Sequence, residues 1–216
     1  MIVEAYGIKL KRLTSGDIEM VRIHRNSDGI RAAMEYRDYI TAEMQREWFN
    51  SIDNESNNYM MILVEDHPIG LISGTQIDWE RGITGNGGIF VWDKSFLETI
   101  YPAKASLLLT DIGFYLGMKK NYIRILDDNL KSISFNTALG YKLLPGQSGV
   151  RNKKYELTFN DYFKAAEKIR ELIGAVGKIK ITIDDANHVS AVNIVQRINN
   201  IDSEFATKID LIQLLK

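Results

Sequence analysis

Few residues in this chain have the type and spacing to do chemistry, and that scarcity narrows the field. The 216 residues contain no cysteine, so disulfides, thiolate metal sites and a cysteine nucleophile drop out together. His24, His67 and His188 stand apart without metal-ligand spacing. They read as surface or helix residues, and no metal is expected. The richest run is Asp128-Asn129, followed by Lys131-Ser132-Ile133-Ser134-Phe135 and closed by Leu139-Gly140-Tyr141-Lys142. Tyr122–Leu126 alternates and is β-branched, as a strand should be. Asp128 and Asn129 can cap a helix starting near Leu130, and Gly140 can take the left-handed conformation that ends it. Ile133, Asn136 and Thr137 share one helical face, while Phe135, Ala138 and Leu139 form the apolar stripe. On pattern alone this is also an ordinary strand–helix–strand corner in which Asn129 does no more than cap.

The elements that must position this run follow in an α/β order. Gly7–Leu13 alternates apolar and basic residues, predicting a strand. Thr14-Ser15-Gly16-Asp17 offers caps for a helix to about Arg25, a second short helix is expected around Gly29–Tyr36, and Thr41 caps a third from Ala42 to about Ile52. Three strands come next, Tyr59–Glu65, Ile69 to about Trp79, and Gly87–Trp92. Turns are expected at Asp66-His67-Pro68 and across Arg81-Gly82 to Gly85-Asn86-Gly87. Consecutive strands imply an antiparallel meander, and a helix near Ala103–Leu116 begins a crossover to Tyr122. After Lys154–Phe159, Asn160 is a candidate cap for a helix to about Ile173. Gly174-Ala175-Val176-Gly177 then punctuates the chain. Beyond it Lys178–Ile183 alternates as a strand, and Asp184-Asp185-Ala186-Asn187 turns into a helix carrying Val189, Val192, Val195 and Ile198 on one side. The remainder to Lys216 reads as another short helix. The division is therefore a domain over residues 1–173 and a small α/β extension over 174–216, the latter a packing or dimerisation element or, alternatively, a peptide- or carrier-binding module.

Bulk properties fit a soluble enzyme. Hydrophobic residues make up 45% and charged residues 25%, close to the globular average. A net charge of −1 gives no electrostatic case for nucleic acid, whose binders concentrate basic charge on one face. Met1–Tyr6 lacks the basic and apolar regions of a signal peptide, and no run approaches the ~18 apolar residues that span a bilayer. No membrane partner is expected, and the cytoplasm is the expected compartment.

The Asn129 run resembles the "Asn, two residues, Ala/Ser-Ile, then Leu-Gly-Phe-Lys" segment of GNAT-type N-acetyltransferases. A second stretch, Ile23-His24-Arg25-Asn26-Ser27-Asp28 with Ile30–Met34, Ile40-Thr41 and Trp48-Phe49, is similar to the N-terminal segment of that superfamily, nearest to the branch acting on amino sugars of nucleotide carriers. The similarity covers roughly residues 7–160. It implies a mixed, mainly antiparallel sheet flanked by helices, acetyl-CoA as donor, and a small-molecule amine as acceptor, with a homodimer as one expected assembly. A protein N-terminus or a polyamine is an alternative acceptor. From a different class, the chain would be a noncatalytic binding or scaffold module that kept the fold and lost the donor site.

By the same resemblance, Phe90 and Val91 lie on the strand that holds the pantetheine arm through its main chain. Asn129 completes the site as its catalytic residue, and Asn136 takes the place where relatives keep an acidic tyrosine. Tyr101 and Tyr141 are the nearby tyrosines. The phosphate loop departs from the pattern: Ile100 and Pro102 stand where relatives have small residues, Glu98 adds a negative charge, and Thr99, Tyr101 and Lys104 are left to hold the phosphates. A carboxylate that relatives carry on the donor strand corresponds to a position near Asn86. Arg25, Asn26, Arg31 and Arg37 are implied on the acceptor side, where arginine's planar fork suits a diphosphate, although Glu35 and Asp38 are close enough in sequence to pair with them.

Overall fold

The computed structural model describes residues 1–32, 34–185 and 188–213, and they form one continuous sheet with helices against it. Strands β1 (Ile2–Ala5) and β2 (Ile8–Arg12) make an N-terminal hairpin. Its turn, Tyr6-Gly7, has both residues at positive φ, 60° and 76°, which matches the twist of a tight hairpin. Strand β1 was not foreseen, because four residues are too few to display a period.

Three helices follow, α1 (Ile18–Arg25), α2 (Asp28–Ala32) and α3 (Ala42–Ile52). The Thr41 hydroxyl accepts from the Met44 amide at 3.1 Å and caps α3 as expected. Asp17 gives α1 no side-chain cap; it accepts instead from Thr14 and Lys11. Helix α2 is shorter than the expected Gly29–Tyr36, and Ala33, part of the similar N-terminal stretch, lies outside the described residues.

Strands β3 (Asn57–Val64), β4 (His67–Asp78) and β5 (Ile83–Val91) form the antiparallel meander. Both expected turns move. The first is Glu65-Asp66, at φ 48° and 64°, so His67 and Pro68 already belong to β4. In the second, Gly85-Asn86-Gly87 is extended inside β5. A Cβ on Gly85 would lie 2.8 Å from Gln76, and one on Gly87 2.9 Å from the Ser73 carbonyl oxygen. These glycines serve close strand approach, not a turn.

Helices α4 (Lys94–Leu97) and α5 (Tyr101–Tyr115) lead to β6 (Lys120–Leu126) and α6 (Leu130–Ala138). Then come β7 (Lys142–Leu143), β8 (Asn152–Thr158) and α7 (Phe159–Ile173). The cap of α7 is Thr158, which accepts from the Asp161 amide at 3.3 Å, and not Asn160, which already lies inside the helix. The extension supplies β9 (Ile179–Ile183), α8 (Val189–Asn199), α9 (Ser203–Ala206) and β10 (Ile209–Gln213).

The expected C-terminal helix is therefore one turn followed by a strand, because β9 offers an open edge and Ile209-Asp210-Leu211 alternates to fit it. Ala186, Asn187 and Leu214–Lys216 lie outside the described residues. The buried face of α8 is also offset from the valine stripe. Ser190, Ala191 and Ile194 are buried, while Val189 and Val192 are exposed.

The sheet order is β10-β9-β1-β2-β3-β4-β5-β6-β8-β7, antiparallel except for β5–β6 and β9–β10. A large core includes Leu107 and Ile112 of α5, Tyr162 of α7 and Ile194 of α8. A smaller one joins Val21 of α1 and Phe49 of α3 to Met61 and Leu71. At the heart of the large core Asp111 of α5 is fully buried. It accepts from Tyr6 Oη at 2.8 Å, Tyr162 Oη at 2.9 Å, Arg170 Nη1 at 2.8 Å and Arg170 Nη2. Burial raises both tyrosine pKa values, so the phenols stay protonated donors.

Removing the cation would strand a buried carboxylate. Arg170→Met should therefore lower stability by about 3–5 kcal/mol, read from urea unfolding of the full chain. A loss no larger than that of an exposed substitution, within ~0.5 kcal/mol, would show that the tyrosines alone hold Asp111.

Candidate functional site

Strands β5 and β6 pair for two residues only, Ile83 with Lys120 and Thr84 with Asn121. Past that point β5 continues on β4 and β6 continues on β8. The edges of Gly85–Val91 and Tyr122–Leu126 that face one another thus carry main-chain N–H and C=O groups without a ladder partner. A cleft of about 380 Å³ lies there, walled by both strands and by α5 and α6. An extended ligand with amides of its own can dock on such an edge as an added strand.

Asn129 stands at the end of β6. Its Oδ1 accepts from the Ser132 amide at 3.1 Å, which caps α6, and Asn129 lines the cleft. Asn136, one turn along, donates from Nδ2 to the Ser132 carbonyl at 2.8 Å and also lines the cleft. Gly140, at φ 101°, turns the chain where a Cβ would sit 2.7 Å from the Asp161 carbonyl oxygen. That turn brings Tyr141 into the cleft wall, where burial pushes its phenol pKa well up. Tyr101 is elsewhere, edge-on to Phe96 at 5.5 Å.

The other residues expected around the donor are spread out. The side chain of Phe90 packs into the smaller core, and Val91 is buried against Gly70. Neither side chain lines the cleft. The Thr99 hydroxyl donates to the Phe96 carbonyl at 2.7 Å, and Lys104 reaches toward the Tyr6-Gly7 turn. Thr99, Tyr101 and Lys104 cluster at the start of α5, outside the cleft wall. Ile100 gives α5 no side-chain cap, the Thr99 hydroxyl accepts from the Tyr101 amide at 3.4 Å, and Pro102 occupies the first turn. Glu98 pairs with Lys131 of α6 at 2.8 Å, a bridge that joins the two helix starts and holds the carboxylate below its usual pKa. Both partners are largely exposed, so solvent screens the pair.

On the acceptor side Asn26 is fully engaged. It donates to the Ile40 carbonyl and accepts from the Ile40 amide, both at 2.8 Å, as a strand partner would. Arg25 donates to the Tyr36 carbonyl, Arg31 pairs with Asp28 at 3.1 Å, and Arg37 donates to the Met34 carbonyl. The arginine pairings with Glu35 and Asp38 do not form. Glu35 instead lines the cleft and accepts from Asn152 Nδ2 at 2.8 Å, a bond spanning 117 residues that sequence spacing cannot reveal. Asn86 also lines the cleft, its Oδ1 buried without a partner. The signal for it was a single polar residue inside Gly85-Asn86-Gly87-Gly88.

The histidines serve structure. His24 stacks on Trp92 at 4.6 Å, His67 bonds Asp93 at 2.9 Å, and His188 caps α8 and bonds Asp53 at 3.1 Å. Among the described residues no group of three or more His, Asp or Glu could hold a metal, and no helix is long and apolar enough to cross a membrane.

No family model and no curated protein matches the sequence. Solved structures do match the fold. An apo nucleotide-linked sugar GNAT aligns with a TM-score of 0.66 at 18% identity, over 81% of this chain and 99% of that one. A ribosomal L7/L12 alpha-N-protein acetyltransferase in complex with coenzyme A aligns with a TM-score of 0.64 at 13% identity, over 74% and 99%. The spermidine N-acetyltransferase of Vibrio cholerae in complex with CoA and spermine aligns with a TM-score of 0.60 at 16% identity, over 73% and 98%. Neighbours with different acceptors share the scaffold over nearly their whole length, and the chain has the fold of the GNAT N-acetyltransferase superfamily.

Proposed function

We propose that this chain transfers an acetyl group from acetyl-CoA to the primary amine of a small molecule, an amino sugar in the first instance. The observation that carries the reading is the open edge of β5 facing β6, with Asn129 at its far end. The pantetheine arm has amides spaced to pair with such an edge, so the middle of the donor fits. The phosphate end fits less well. Pro102 lacks an N–H, Ile100 puts a side chain where a phosphate would approach the backbone, and the Tyr101 amide already bonds the Thr99 hydroxyl, leaving few amides of the α5 start to meet it.

When bound, acetyl-CoA supplies an activated thioester carbonyl. The chain's own groups then have distinct tasks. Asn129 Nδ2 and the free β5 amides orient and polarise that carbonyl. Glu35, at the mouth, attracts the amine and takes its proton directly or through water. Tyr141, protonated at neutral pH, is the donor nearest the leaving sulfur. Arg31, half-buried and paired with Asp28, and the exposed Arg37 are cations in the segment that carries Glu35. They favour a phosphate-bearing sugar carrier over a polycation, and we assign Arg25 and Asn26 to holding that segment in place. Residues 1–173 form the catalytic unit in this reading, the 174–216 extension completes the sheet, and the reaction belongs to the cytoplasm. The second reading, a binding module without turnover, is favoured by the Ile100 and Pro102 pair alone.

Calorimetric titration with acetyl-CoA, followed by an acceptor screen, separates the two. Weak saturable binding and turnover on an amine are expected. No binding and no turnover on any amine would leave the module.

Ile100→Gly with Pro102→Gly should tighten acetyl-CoA binding. Each restored amide–phosphate bond is worth about 1.5–3 kcal/mol, less the flexibility that glycine adds. Titration at fixed ionic strength checks this, and unchanged affinity would show that the phosphates lie elsewhere.

Asn129→Ala should cost ~1 kcal/mol through the lost cap. It should also shrink the rise in melting temperature that acetyl-CoA gives the wild type. Equal ligand-induced rises in both proteins would confine Asn129 to capping.

A further inference from the structure

The same cleft extends beneath α8, and this part of it is a chamber lined from β3, β4, β5 and β6. Strand register puts Asn58 of β3 beside Gly74 of β4, and Asn121 of β6 beside Thr84 of β5. The Thr84 methyl lies 3.3 Å from the position a Gly74 Cβ would take, and all four residues line the cleft. The C-terminal extension adds Ser190, Asn193 and Ile194 of α8 to the lining.

The floor carries polar groups with nothing to bond. Asn121 is 8% exposed, and both its Oδ1 and that of Asn58 are buried without a hydrogen-bond partner. A buried carboxamide left unsatisfied costs roughly 1–3 kcal/mol, so two facing one chamber are poised for a ligand. The charged groups nearby already have partners. Arg12 pairs with Asp53 at 3.0 Å, Asp53 also meets His188, and Glu55 accepts from Asn193 at 3.1 Å. Arg197 lies over the Trp79 ring at 4.3 Å. The uncommitted groups are therefore neutral, and each carboxamide can both donate and accept, the pairing that a hydroxyl needs. Ile77 and Ile194 supply apolar wall for C–H faces.

We infer that the chamber roofed by the extension is a binding site for a small neutral polyhydroxylated ring, of the sugar or cyclitol kind. It lies in the cleft that Asn129 also lines, on different residues, and holds whether or not the cleft transfers acetyl groups.

The test is NMR titration of the full-length protein with D-glucose and, separately, with myo-inositol, following the side-chain amide resonances of Asn58 and Asn121. Saturable shifts of both pairs with at least one probe are expected. Asn121→Leu should weaken that binding about tenfold, the change for one lost hydrogen bond of ordinary strength. Asn58→Leu is the parallel variant should Asn121→Leu fail to fold. Resonances unmoved by either probe, as when ordered water alone satisfies the amides, would overturn the inference, as would wild-type affinity in a folded variant. The two probes distinguish a sugar ring from a cyclitol. Acetyl-CoA titrated in the same way reports through Asn129, so failure of the donor reading is seen separately.

Discussion

Two parallel strands that touch for two residue pairs and then part set the position of every candidate group. Parallel neighbours need a crossover, here α5, which lies against the sheet beside the gap the strands leave. Splitting the ladder leaves backbone donors and acceptors unpaired. It is tolerable because those groups face a cleft open to solvent or ligand rather than apolar core. The glycines of β4 and β5 keep these two strands closely packed past that point, so the split is confined to the β5–β6 side.

The split sheet needs bracing, and the brace is polar as well as apolar. Asp111 gathers a turn residue, Tyr6, and two residues of α7, Tyr162 and Arg170, onto α5. One carboxylate thus connects the first hairpin, the crossover and the helix that leads into the extension. Burial of such a cluster is affordable only because each acceptor position on Asp111 is used. The extension then adds β9 to β1 and lays α8 across the ends of β3 and β4. It closes a sheet edge and walls the rear of the cleft in the same stroke.

Electrostatics divide the cleft into unlike ends. Glu98 is tied to Lys131 between the starts of α5 and α6, each charge offsetting the other. Glu35 lines the cleft, held by Asn152. The rear holds carboxamides amid charges that have already found partners.

Much of the framework was legible in the sequence because it rests on local rules. Alternation marked the meander and β6, Thr41 and Asn129 marked caps, and Gly140 marked a helix end, since each depends on residues within a turn or two. Local rules failed where a distant partner decided. Strand β10 exists because β9 has a free edge, and α8 buries Ala191 and Ile194 because packing on the large core, not the valine period, sets its rotation. Asn26, read as a contact for substrate, is consumed by Ile40, and Glu35 enters the site through a residue 117 positions away. The sequence by itself determined which segments are helix and strand around Asn129 and which residue types could act there. Only the tertiary structure decided which of them share a cavity, because hydrogen bonds and register across the chain, not spacing along it, aim the side chains.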